Sequence, residues 1–280
     1  MRRQEEPQGA ATRLRRFVWN RSILVSQGAK HCDRRDRAWS TLNYRMGTGT
    51  TISLLAANLK PTPILDCGSA EIQAVAQRLR GAGYTGRTFA QRAHILLCEV
   101  LRPVYSVNER QPASTTLREK RGSCSQRMAC LEAVARAGGV PTRVRALQVR
   151  GSFWFPRFRL SRPFIPKKIL LVWPQFFLAG AWVDFDELHS PIAKLAESSE
   201  GFTNDAESLF EAVRQSPVDF LGKTCGLACA KPSQDLSPYV VSDMGFFDSR
   251  DEVFERFGSL QDTLRGRLFE FVFGGRSSRD

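Results

Sequence analysis

The stretch RGSCSQRMACLEAVARAGGVPTRVRALQVR, residues 121–150, changes its hydrophobic period once, within a few residues. Ser123 and Gln126 stand in the S-x-x-Q relation of a capping box, which makes Ser123 the N-cap and Cys124 the first residue of a helix. Cys124, Met128, Leu131 and Ala135 recur on one face and predict a single buried stripe. Gly138-Gly139 stops the helix and Pro141 prevents its resumption. From residue 143 the pattern alternates, Val144 and Ala146 against arginines, which is the period of a strand with one wet face. A capped helix that returns at once as a strand calls for a helix laid against a sheet.

The rest of the chain fits that demand. Residues 70–83 and 88–102 read as helices, and 103–120 as a connecting segment with turn residues. KKILLVWPQFFL (167–178) and AWVDFD (181–186) read as strands joined by a tight turn at Ala179-Gly180. Pro174 cannot donate to a ladder, so it predicts an edge or a bulge. Helical patterns return at AESLFEAVRQ and LQDTLRGRLFEFVF. Helices, then strands, then helices give an α+β class, with the cysteine-bearing helix packed on an antiparallel sheet. Residues 1–45 read as a basic, flexible extension, and 46–280 as one domain.

The chain of 280 residues carries a formal net charge of +13, which attracts acidic partners. Much of the excess flanks Cys124, at Arg118, Lys120, Arg121, Arg143, Arg145, Arg150, Arg157, Arg159, Arg162, Lys167 and Lys168. Phe153, Trp154, Phe155 and Phe158 interleave with arginines there, but no recognised nucleic-acid motif is present, so a nucleic-acid partner is disfavoured. No apolar run is long enough for a membrane span. Seven cysteines show no disulfide framework, and neither Cys124/Cys130 nor Cys225/Cys229 has zinc-knuckle spacing. Reduced thiols in the cytoplasm, with no cofactor or metal, are the expectation.

At a helix start, the Cys124 sulfur meets the positive end of the macrodipole, which lowers a thiol's pKa and favours the reactive thiolate. The competing reading is a buried, inert cysteine, since free Cys is among the most buried residue types.

Residues 118–186 resemble the transglutaminase-like superfamily, a papain-like cysteine acyltransferase and protease core. Gly122, Cys124, Arg136, Ala137, Gly139, Val140, Pro141, Arg143 and Val144 match its first motif. Trp173, Pro174, Gly180, Trp182, Val183, Phe185 and Asp186 match its second in order and spacing. The resemblance implies acyl transfer through a thioester: Cys124 attacks, a histidine moves the proton, and Asp186 holds the imidazole. It places that histidine at Leu171, and the family's glutamate at Gln175. Asp184 shares a face with Asp186 and is an alternative to it. His189, three residues beyond Asp186, is the candidate substitute base. His94 is a further candidate, set against the reading of a satisfied core histidine.

A thiolate leaving group needs no proton, so a missing base favours thioester or other activated acyl donors over ordinary amides. The expected function is therefore an acyltransferase or amidase working on an activated acyl group, as in natural-product biosynthesis. Its acyl substrate could ride on an acidic carrier protein. The alternative is a catalytically inactive binding or scaffold module. Oligomeric state has no signal in the sequence.

Overall fold

The structure, a computed structural model, describes residues 55–158, 162–192, 194, 202–205, 207–215, 218–223 and 235–277. The basic extension expected at residues 1–45, the Cys225/Cys229 pair and Arg159 lie outside the described residues.

Helices α1 (Ala70–Gly81) and α2 (Gly86–Val100) take the first two helical patterns. A third, α3 (Ala113–Glu119), forms inside the segment expected to be a connection. Two turns are too short to show a period, and its end depends on Lys120 adopting a left-handed φ of 54°. The two-residue strands β1 (Arg102–Pro103) and β2 (Arg121–Gly122) pair in parallel beside it.

Helix α4 (Cys124–Ala137) begins as the capping box requires. Ser123 Oγ accepts from Gln126 N at 3.3 Å, and Gln126 Oε1 accepts from Ser123 N at 2.9 Å. The single buried stripe expected for it is corrected by the structure: every residue from Gln126 to Arg136 is buried. Helices α1, α2 and α3 pack on it, as does the sheet on another side, so no face is left to water. Two glycines permit that packing. A Cβ at Gly122 would stand 2.7 Å from Thr116 Cγ2, and one at Gly138 would stand 2.2 Å from the Phe89 ring.

Strands β3 (Thr142–Arg150), β4 (Lys168–Leu178), β5 (Ala181–Asp184) and β6 (Val240–Phe247) form an antiparallel sheet in the order β5-β4-β3-β6. The fold is α+β, a cysteine-bearing helix on an antiparallel sheet. Ala179 (φ 52°) and Gly180 (φ 84°) are both left-handed, as a two-residue type I′ hairpin turn demands. Pro174 lies opposite Val144 of β3, while β5 pairs with β4 only from Gln175 onward. The missing N–H thus falls where β4 has a neighbour on one side alone, an edge within an interior strand. The alternation of β3 slips at Ala146-Leu147, both buried, where its register with β6 also shifts. Strand β6 escaped the sequence reading because its residues are largely exposed and Gly245 breaks the alternation at φ 88°.

Helices α5 (Leu209–Gln215), α6 (Arg250–Phe257) and α7 (Leu264–Phe273) complete the fold. Arg250 clasps the layers together. Its Nε donates to Glu132 Oε1 of α4 at 2.6 Å, its Nη1 to Ser125 Oγ at 3.1 Å, and its Nη2 to the Val172 carbonyl of β4 at 3.2 Å. Arg136 does similar work at the far end of α4, donating to Thr142 and to the Lys60 and Asp248 carbonyls.

Candidate active site

Cys124 and Leu171 line one cavity of about 420 Å³. The helix start brings in the thiol, and the first half of β4 brings in the leucine. The lining also includes Trp154 and Phe158 from the irregular aromatic segment, Leu260 from the turn before α7, and Phe269 of α7. The residue pair that the resemblance makes nucleophile and base therefore meets at one space, with a methyl-tipped side chain where an imidazole was due.

The ionised thiol expected from the macrodipole is corrected. Cys124 is half-buried, its sulfur lies deep, and burial pushes the thiol up to about 11. Arg127, the Phe210 backbone N–H that donates to the sulfur, Arg157 and Arg250 act the other way without winning. A helix-end dipole contributes about 1 kcal/mol, whereas burial of a charge costs several. Arg127 anchors the segment that presents that N–H. Its guanidinium is fully buried 4.5 Å from the Phe210 ring centroid, bonded to Ser208 Oγ and Glu211 Oε1 at 3.2 Å each.

The remaining expected residues lie away from the cavity lining. Asp186 is wholly buried just past β5, and neither carboxylate oxygen has a hydrogen-bond partner among the described residues. Burial, reinforced by Asp184, raises its pKa well above the usual carboxylate range, which favours the protonated acid. Asp184 instead accepts from Gln175 Nε2 at 2.7 Å and pairs with Lys223, which also reaches Glu187 at 2.8 Å. Asp184, Asp186 and Glu187 could offer a cation three oxygens, but the Lys223 ammonium already neutralises two of the three carboxylates.

His189 meets His94, with Nε2 2.8 Å from His94 Nδ1. His94 Nε2 bonds to the Phe210 carbonyl, which cannot donate, so the proton sits on Nε2 and Nδ1 accepts from His189. That tautomer leaves His94 no lone pair for Cys98, whose sulfur lies 3.5 Å from Nε2. Burial lowers His94 to about 3 and His189 to about 4. Phe210 thus contacts both groups through its backbone, N–H toward the Cys124 sulfur and carbonyl toward His94. Neither histidine lines the cavity.

Residues 73–187 match the sequence profile of the Transglutaminase-like superfamily. Over that span this chain is similar to the transglutaminase-like superfamily. One solved structure is similar, a protein from Cytophaga hutchinsonii titled as a candidate cysteine protease, at 16% identity and a TM-score of 0.36. The match covers 51% of this chain and 43% of that one, so the chain spans less than half the length of that relative. No curated protein matches the chain.

Within the matched span one acidic residue of the cavity carries no sequence signal. Glu109 lines the same space as Cys124, and the Ser125 hydroxyl donates to its carboxylate. Glu109 is half-buried as a residue, and desolvation of its carboxylate raises it to about 7, against the lowering pull of Arg250, Ser125 and Arg110. It lies in the segment before α3, fifteen positions from the cysteine and outside both motifs, so neither period nor spacing marked it. Among the described residues no helix is long and apolar enough to cross a membrane.

Proposed function

We propose that this chain is a cysteine acyltransferase in which Cys124 carries an apolar acyl group as a thioester. The observation that carries the reading is the shared cavity: the helix-start thiol and the Leu171 position open on one space walled by Trp154, Phe158, Phe164 and Leu170. In the reaction Cys124 Sγ attacks the acyl carbonyl carbon and loses its proton. The tetrahedral adduct then collapses with departure of the donor's leaving group. A second nucleophile takes the acyl group and returns the thiol. The Phe210 N–H and the first backbone amides of α4 supply donors beside the reacting centre.

Leu171 can neither take a proton nor give one, so donors whose leaving group departs as an anion are favoured, thioesters first. Lys168 and Arg265, both exposed, line the cavity together with Arg157, which suits an acyl group delivered by an acidic carrier, as in natural-product assembly. Asp186 has no imidazole to orient at Leu171 and His189 is engaged with His94, so neither carries a step here; Cys124 does. Free thiols at Cys67, Cys98, Cys124 and Cys130 suit the reducing cytoplasm.

The test is intact-mass detection of an acyl adduct after incubation with an octanoyl thioester of N-acetylcysteamine. The adduct should map to Cys124 and vanish in Cys124→Ala. A second reading, a binding module that kept the fold and lost the chemistry, draws on Leu171 and on the unionised thiol. Absence of any adduct while the acyl thioester still binds would favour it.

A further inference from the structure

We propose that Glu109 is the proton carrier of the Cys124 site, standing in for the histidine that Leu171 replaces; this rests on Cys124 being the nucleophile. Three geometric facts support it. Glu109 and Cys124 line the same cavity. Ser125, next to Cys124 on the first turn of α4, donates to the Glu109 carboxylate and accepts from Arg250 Nη1 at 3.1 Å, which fixes the carboxylate at the helix entrance. The cavity's remaining polar side chains include cations and hydroxyls, which cannot accept a proton near neutral pH, so Glu109 is the titratable acceptor among its lining residues.

The charges facing Glu109 come from several elements. Arg110 lies beside it in the chain, Arg250 reaches in from α6, and Asp262 approaches from the turn before α7. Glu270 of α7 is tied to Ser106 Oγ and the Val107 N–H, and Glu132 of α4 is committed to Arg250. Burial outweighs the two arginines, and a proton affinity near 7 suits a group that must both take and return a proton at neutral pH.

The step balances without further reagents. As Cys124 Sγ bonds to the acyl carbon, its proton passes to Glu109. When the adduct collapses, the carbon–leaving-group bond breaks, the leaving group departs as an anion, and the protonated Glu109 gives its proton to solvent. In the second half the acceptor's proton goes to Glu109 as the acceptor attacks, and the Cys124 thiolate leaves and recovers it. A thiol near 11 needs such a base, because at pH 7 almost none of it is ionised.

Glu109→Gln keeps an oxygen to accept from Ser125 and removes the titration. The probe is p-nitrophenyl acetate, read by the p-nitrophenolate burst and by intact mass from pH 5.5 to 9. In the native protein the burst rate should climb about tenfold per pH unit below 7 and level off above it. In the variant it should be on the order of 10²-fold slower at pH 8 and lose the inflection near 7. Its melting temperature at pH 8 should not fall. A folded carboxylate with raised proton affinity costs stability at pH above that affinity, and glutamine removes the cost. Acetylation of Cys124 with an unchanged rate and pH profile in Glu109→Gln overturns the role of Glu109 and leaves the nucleophile standing. No acetyl group on Cys124 in the native protein overturns the nucleophile, and the role of Glu109 with it.

Discussion

At Cys124 desolvation stands against Arg127, the Phe210 N–H, Arg157, Arg250 and the helix start, and the relative sizes decide the chemistry. The dipole at the helix start favours the thiolate by about 1 kcal/mol, while desolvation favours the thiol and prevails at about 11. The residue is therefore an un-ionised nucleophile in waiting, and the missing imidazole matters more than for a pre-ionised thiol. Restoring it tests this. Leu171→His should raise single-turnover rates with a p-nitroanilide donor by on the order of 10²-fold, the scale of general acid–base catalysis. With a thioester donor, whose departure needs no acid, the gain should be smaller. Equal gains on both donors would show that proton delivery to the leaving group is not what Leu171 withholds.

Among elements, α4 shows how tightly its surroundings are built. Gly138 meets the Phe89 ring and Gly122 meets Thr116, so alanine at either forces a neighbour to move. Gly138→Ala, with the closer approach, should cost roughly 1–3 kcal/mol in urea unfolding, and Gly122→Ala less. The pairing of α2 with the segment after β5 makes a second, pH-dependent link. His94 and His189 have folded proton affinities, about 3 and about 4, below the ordinary 6.5 of the unfolded chain. A depressed base binds protons more readily when unfolded, so the stability it contributes is complete above about pH 6.5 and drains away as pH falls toward 4. His189→Gln retains a donor for His94 Nδ1 and removes one titration. The fall in melting temperature between pH 6.5 and 4 should become shallower in that variant.

On the scale of the whole molecule, the Arg250–Glu132 pair spans α6, α4 and β4 in a fully buried setting. Arg250→Met strands the Glu132 charge and should cost about 3–5 kcal/mol, whereas Arg250→Met with Glu132→Leu should recover much of it. Stability like that of native protein in the single variant would mean the pair does not hold the layers. The net charge of +13 acts on the same scale. Several residues of the central basic cluster are spent internally: Arg145 pairs with Asp243, Arg118 with Glu71, and Arg143 stacks 4.3 Å from the Trp182 ring centroid. Of the cluster, Arg157 and Lys168 line the cavity, joined there by Arg265 of α7. Lys168→Glu should slow association with an acidic acyl carrier and flatten its salt dependence, measured by stopped-flow between 50 and 500 mM salt.

Local patterns in the sequence were enough to determine the Cys124 helix, its cap and its stop, because those depend on hydrogen bonds three or four residues apart. They also determined the hairpin at Ala179-Gly180 and the resemblance to the transglutaminase-like superfamily over part of the chain, since each is written in contiguous residues. Helix α3 and strand β6 were hidden, one too short to show a period and the other too exposed to alternate. What only the tertiary structure decided is where proton affinities fall. Cys124 is raised because the surrounding elements bury it, His189 is taken by a histidine 95 positions away, and Glu109 reaches the cavity from outside both motifs. Desolvation and long-range pairing depend on everything that packs around a group, and a linear pattern carries neither.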